Sequence, residues 1–287
     1  MKKVKAMACV LAVAMIAGIF AGCSKTTTIS TDKFSKACEK LKLEEFDVDD
    51  DAPDMDDIED GFFAVADEDM VEDKIANVEK MLKDVKLDEA IDVDDIESFA
   101  MAAKCIGLDD AKDVVKDPED LADLQIDGAF AFQVQLKNDK CAKDVMDAIE
   151  EMLDDADIDV KDLSNKEYYA SKTEGYLRFH IDIAKLVKII MDNDDIMELV
   201  EKYADQMDVD AEEILGSLKG DVAFTVEING KNIFILAGGA LNTKPTVLNS
   251  FASAFGASVN PVKVPMNEKF VTDLVDDSID TILSKLH

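Results

Sequence analysis

The chain has 287 residues, with 64 acidic side chains against 31 basic ones and a formal charge of −33. A surface this acidic repels nucleic acid and anionic lipid headgroups, which argues against nucleic-acid binding. Yet 48% of the residues are hydrophobic, too many for a disordered acidic tail, so a packed core is expected.

The first residues set the address. Lys2, Lys3 and Lys5 precede an apolar run from Ala6 to Phe20, which closes on Ala21-Gly22-Cys23-Ser24. The run is short of the roughly twenty apolar residues a bilayer crossing needs. Basic residues ahead of a short apolar segment are the layout of a secretion signal. Small residues before Cys23 leave a peptidase access to the backbone. The segment resembles the signal peptides of bacterial lipoproteins, of the Gram-positive-like surface kind, whose lipobox ends in a lipidated cysteine. Phe20 stands where that pattern has an aliphatic residue. The resemblance covers about 23 residues and speaks to class, not activity. It implies cleavage after residue 22, a diacylglyceryl group carrying fatty chains such as palmitate on Cys23, and a place on the outer face of the cell membrane. Two acyl chains, at about 0.8 kcal/mol per buried methylene, hold where one is reversible. Residues 1–22 carry three lysines and no acid, so their removal takes the charge from −33 to −36.

Residues 23–31 then read as a polar tether, whose stretch from Ser24 to Ser30 reaches only about 25 Å when extended. A helix is expected over 32–46, with Phe34, Ala37, Cys38 and Leu41 on one stripe. Residues 47–60 hold nine acids and Pro53 and read as an acidic loop, so 32–60 forms an N-terminal helix and linker.

From Gly61 the pattern alternates. A strand over 62–66, a helix over 69–85 and a strand over 98–106 make a first β-α-β half, residues 61–125. Its last part, 108–125, is broken by Pro118 and reads as a loop. The second half, 126–287, starts with a strand over 128–136 and a helix over 140–153. Strands over 168–172 and 176–183 fold back through Thr173-Glu174-Gly175. A helix runs from Ala184, is interrupted at Asp192-Asn193, and resumes through Tyr203. Strands over 222–228 and 232–237 flank Asn229-Gly230-Lys231, a strong hairpin signal that predicts Val226 opposite Ile233 and Phe224 opposite Ile235. Helices over 246–255, between Pro245 and Gly256, and over 268–286 close the chain.

The fold class expected is α+β, a mainly antiparallel sheet backed by amphipathic helices. Residues 128–228 give the ferredoxin-like order β-α-β-β-α-β. The echo between Asp60-Gly61-Phe62-Phe63-Ala64 and Asp127-Gly128-Ala129-Phe130-Ala131 suggests internal duplication, and the second half packs either apart from or together with residues 61–125.

Chemistry is sparse. Of two histidines, His287 is terminal and His180 lies on the polar face of a strand with Arg178, the single arginine, and Asp182. A His beside an Asp could transfer protons, though a loosely paired strand residue is the plainer reading. With Cys23 lipidated and Cys9 in the signal, Cys38, Cys105 and Cys141 remain, without a C-x-x-C pair. One disulfide plus a free thiol is one arrangement; three free thiols on apolar faces fits the pattern better. Asp155, Asp157 and Asp159 begin like a calcium loop, but Val160 and Lys166 stand where Gly and Glu belong; Asp47, Asp49 and Asp51 fail in the same way. Gly238-Gly239 reads as the point where the chain leaves the sheet. No catalytic, cofactor or metal residues are assigned. The function expected is that of a membrane-anchored extracytoplasmic lipoprotein, a non-catalytic binding or envelope-assembly protein held by the lipid on Cys23. The alternatives are a carboxylate-dependent enzyme and an acidic surface protein that binds divalent cations.

Overall fold

The computed structural model describes residues 30–46, 55–69, 91–108, 123–138, 141–155, 167–194 and 210–257, with a few single positions between them. The leader, Cys23, the helices expected over 69–85 and 268–286, and most of the 108–125 loop and the acidic loops lie outside the described residues.

The protein is α+β, as its alternating pattern predicts. Eight strands form one sheet in the order β1-β2-β3-β4-β8-β7-β6-β5. These are β1 (Glu44–Glu45), β2 (Phe62–Ala66), β3 (Ile96–Ile106), β4 (Ile126–Leu136), β5 (Tyr168–Ala170), β6 (Glu174–Asp182), β7 (Gly220–Asn229) and β8 (Asn232–Leu241). Every neighbouring pair is antiparallel except β1 with β2. Six described helices accompany it: α1 (Thr31–Leu41), α2 (Met55–Asp60), α3 (Cys141–Asp155), α4 (Ile183–Met191), α5 (Ala211–Ser217) and α6 (Thr246–Phe255).

The β-α-β-β-α-β series is present along the chain from β4 to β7. In the sheet its strands lie as a meander: β6 pairs directly with β7, and β8 stands between β7 and β4. Strands from both halves of the chain thus share one sheet, the halves joined where β3 pairs with β4 and β4 in turn pairs with β8.

Alternation along the strands divides the core between two faces. On the first, Phe132, Val134, Ile233, Phe224, Val226 and Leu177 pack under Val145, Met146, Ile149 and Leu153 of α3. On the second, Ala100, Ala102, Ala129, Ala131, Phe234 and Leu236 receive Phe34, Ala37 and Cys38 of α1 and Val247, Leu248, Phe251 and Phe255 of α6. The small residues of β3 and β4 let the two helices come close, and the Phe34 ring lies 4.8 Å from that of Phe255.

Local signals explain the ends. Helix α6 runs from Thr246 to Phe255 and stops on Gly256 at φ 73°, a left-handed conformation glycine takes without penalty, as expected from the sequence. Helix α1 stops at Leu41, the last residue of its apolar stripe, and not at residue 46 as expected. Lys42 turns left-handed and the chain enters β1 beside β2. Helix α2 corrects the expected acidic loop over its residues. Its acidic first turn suits the helix dipole, and at the other end Lys104 donates to the Asp60 carbonyl. The turn between β5 and β6 falls at 171–173, two residues earlier than expected, because the Ser171 amide closes on the Glu174 carbonyl at 2.8 Å.

The β7–β8 hairpin exists, but its register is offset by two. Val226 pairs with Ile235, Ile228 with Ile233, and Asn229 with Asn232. Gly230 takes φ +59° as the first of two turn residues, and Lys231 after it does not go positive. That is the II′ pattern, with Gly-Lys at the centre where Asn-Gly was expected. A shift of two keeps every side chain on its face, so the core is unaffected.

Gly238 and Gly239 also correct the sequence reading: β8 continues through them to Leu241. A Cβ on Gly238 would stand 2.4 Å from the Gly128 carbonyl oxygen, so the pair permits close strand approach at the seam. Gly238→Ala should therefore cost about 1–3 kcal/mol. Gly216→Ala, in α5 with nothing within 4 Å of the new Cβ, should be neutral or stabilising. Urea midpoints of the two variants check this.

Candidate functional site

The polar groups that sequence analysis singled out sit on the second face of β6 and β7, beyond the strands under α1 and α6. On β6, Leu177, Phe179 and Ile181 are buried, and Leu177 and Phe179 enter the first-face core. Alternation places Tyr176, Arg178 and His180 on the opposite side.

Arg178 is 2% exposed. Its Nε donates to Thr225 Oγ1 at 3.2 Å and its Nη2 to Glu227 Oε1 at 2.5 Å, both on β7. The guanidinium lies 4.7 Å from the centre of the Tyr176 ring, within cation–π range. A guanidinium stays protonated in a protein, so its burial requires a counter-charge and hydrogen bonds. Glu227, 1% exposed, and Thr225 supply them. The sequence carried a signal for this cluster, since Thr225 and Glu227 are the polar residues that alternate with Phe224, Val226 and Ile228 along β7. It carried none for its burial.

His180 pairs with Asp221 of β7, its Nε2 2.6 Å from Oδ1. The expected neighbour Asp182 does something else: it caps α4, accepting the Lys185 amide at 3.4 Å. A carboxylate on Nε2 orients the ring and leaves Nδ1 as the nitrogen for other work. That Nδ1 is buried and without a partner, as are Arg178 Nη1, Gln133 Nε2 and Asn232 Oδ1. All four belong to side chains on the second face. They are positions where water or a small polar molecule could hydrogen-bond. Near Gln133, Thr31 of α1 bridges to Ser98 Oγ at 2.8 Å and to Gln133 Oε1 at 3.2 Å.

Asp127, 6% exposed, has a role the sequence did not reveal. Its carboxylate accepts the amides of Thr246 at 2.8 Å and Val247 at 3.0 Å, and also the Thr246 hydroxyl. It thus satisfies donors at the start of α6 from a strand well over a hundred residues earlier, and places negative charge at the positive end of the helix.

The two described cysteines are free. Burial pushes the Cys38 thiol up to about 12. Cys105 is likewise pushed up to about 12, first by burial and then by the Asp127 and Glu59 carboxylates. Both are therefore protonated at neutral pH and poor nucleophiles. The side chain of Cys141 lies outside the described residues. Burial and the hydrogen bond to Glu150 raise the Tyr168 phenol.

Among the described residues no cluster of three or more His, Cys, Asp or Glu side chains could hold a metal ion. None of the described helices is long and apolar enough to cross a membrane. No protein family, curated protein or solved structure matches this chain.

Proposed function

We propose that the chain is a lipoprotein anchored through Cys23 to the outer face of the cell membrane, where it binds an envelope partner or small molecule without catalysing a reaction. The observation that carries this reading is the leader: three lysines, an apolar run ending at Phe20, and Ala21-Gly22 directly before Cys23. The state of the polar groups supports a binding role over a catalytic one. Arg178 is tied to Glu227, the His180 ring is held by Asp221 with its other nitrogen buried, and the Cys38 and Cys105 thiols are protonated.

The test is expression of the full chain in a bacterial host beside a Cys23→Ala variant. The unsubstituted chain should sediment with membranes and yield an N-terminal peptide that begins at Cys23 and carries diacylglyceryl mass. The variant should remain an unprocessed precursor or leave the membrane fraction. Unchanged mature mass and membrane retention in Cys23→Ala would contradict the proposal.

A further inference from the structure

We infer that the outer edge of β5 is a docking strip for an extended, lysine- or arginine-rich segment of a partner protein, which adds to the sheet as a further strand. This deepens the partner-binding reading above and does not depend on the anchor at Cys23.

The register of the β5–β6 pair fixes which way the edge points. The Ser171 amide donates to the Glu174 carbonyl at 2.8 Å, and the Arg178 amide to the Glu167 carbonyl at 3.1 Å. In an antiparallel pair, hydrogen-bonded rungs alternate with open ones, so residues 167, 169 and 171 turn their backbone groups toward β6. Tyr168 and Ala170 therefore turn their amides and carbonyls outward, where no described residue pairs with them. Tyr169 and Ala170 are exposed, so that side is open to an incoming chain.

The two edges of the sheet are unlike. At the other edge β1 carries Glu44 and Glu45, both exposed, and charge on an edge discourages pairing. β5 reads Tyr168-Tyr169-Ala170, with no charge, proline or bulge to protect it.

A strand added through main-chain groups takes its specificity from the side chains on its two faces. On the first face, Tyr168 donates to Glu150 of α3, and Asp147 is near enough for its charge to act on the phenol. Asp154 follows Asp147 two turns later on the same flank of the helix. Along its whole length α3 holds six acids against one lysine. Partner residues opposite Tyr168 and Ala170 would project onto this acidic flank, which calls for Lys or Arg. The partner residue between them would project onto the second face, beside Tyr169. That ring is 42% exposed and stacked on Tyr176 at 5.5 Å, a firm surface for an aliphatic or aromatic side chain. The pattern recognised is thus basic, apolar, basic. A second copy of this chain is a poor occupant, because its charge of −33 would set acid against acid.

The test uses the full lipidated chain in neutral detergent micelles, titrated with a short capped peptide that alternates lysine and valine. Binding should slow hydrogen exchange at the outward-facing amides of Tyr168 and Ala170. The same peptide with prolines in place of valines keeps the charge but cannot pair, and should give no such protection. Ala170→Pro removes an amide that no ladder bond uses, so the fold should tolerate it. It should weaken the lysine-valine peptide by about tenfold. Equal binding by Ala170→Pro, or by the proline peptide to the unsubstituted chain, would show attraction to an acidic surface alone and overturn the proposal. Protection elsewhere, with exchange at Tyr168 and Ala170 unchanged, would overturn the edge and leave a partner-binding protein. No binding at all would overturn the edge, while the anchor, tested separately at Cys23, would stand.

Discussion

Arg178→Met should destabilise the protein by about 3–5 kcal/mol, the usual cost of removing one member of a buried ion pair. The cost arises on the other side of the pair. Glu227 is 1% exposed, and the substitution takes away the guanidinium 2.5 Å from its carboxylate while Thr225 loses its donor. The double variant Arg178→Met/Glu227→Leu should recover most of that loss, because burying two apolar side chains of similar volume avoids desolvating charge altogether. The chain has no tryptophan, so urea unfolding is best followed by far-UV circular dichroism. A single variant within 1 kcal/mol of the parent, or a double variant worse than the single, would show that the pair is not the buried unit described.

Phe34→Ala should cost a comparable amount, about 3–5 kcal/mol, by the transfer and cavity terms for a fully buried phenylalanine. Its ring is 0% exposed and meets Phe255, which in turn lies 5.3 Å from Phe234 of β8. The ring thus links α1, α6 and the sheet. Amide exchange should separate this effect from a general loosening: α1 should lose protection first, while the β7–β8 hairpin keeps its own. Uniform loss across both would mean that α1 is not an independently released element.

What the sequence disclosed was local, and what it hid was tertiary. The boundaries of α6 were legible because Pro245 and Gly256 act on the backbone next to them. The β7–β8 hairpin was legible as an element, yet its register depended on which two residues occupy the turn, and that choice is made by the pairing of Asn229 with Asn232. Helix α2 was hidden because its stabilising partners, Lys104 and the Gly107 amide that donates to Glu59, come from the end of β3. Alternation along β6 placed Arg178 and His180 on the correct side, but periodicity does not tell a solvated face from a covered one. Their partners Glu227 and Asp221 lie more than forty residues later, on a strand whose position beside β6 the sequence did not specify.

The β4–β8 seam has a consequence for how the protein is made. Its two strands run side by side for ten rungs, yet the nearest residues across it, Gln135 and Asn232, are separated by nearly a hundred positions of chain. Synthesis runs from the N-terminus, so β2, β3 and β4 are complete long before β8 exists. Through that interval β4 carries a long, apolar, unsheltered edge, the kind that recruits other chains. Such long-range closure is slow, and the nascent molecule is most prone to aggregate just before its last hairpin arrives. Truncation between Leu136 and Asn232 would prolong that exposure indefinitely.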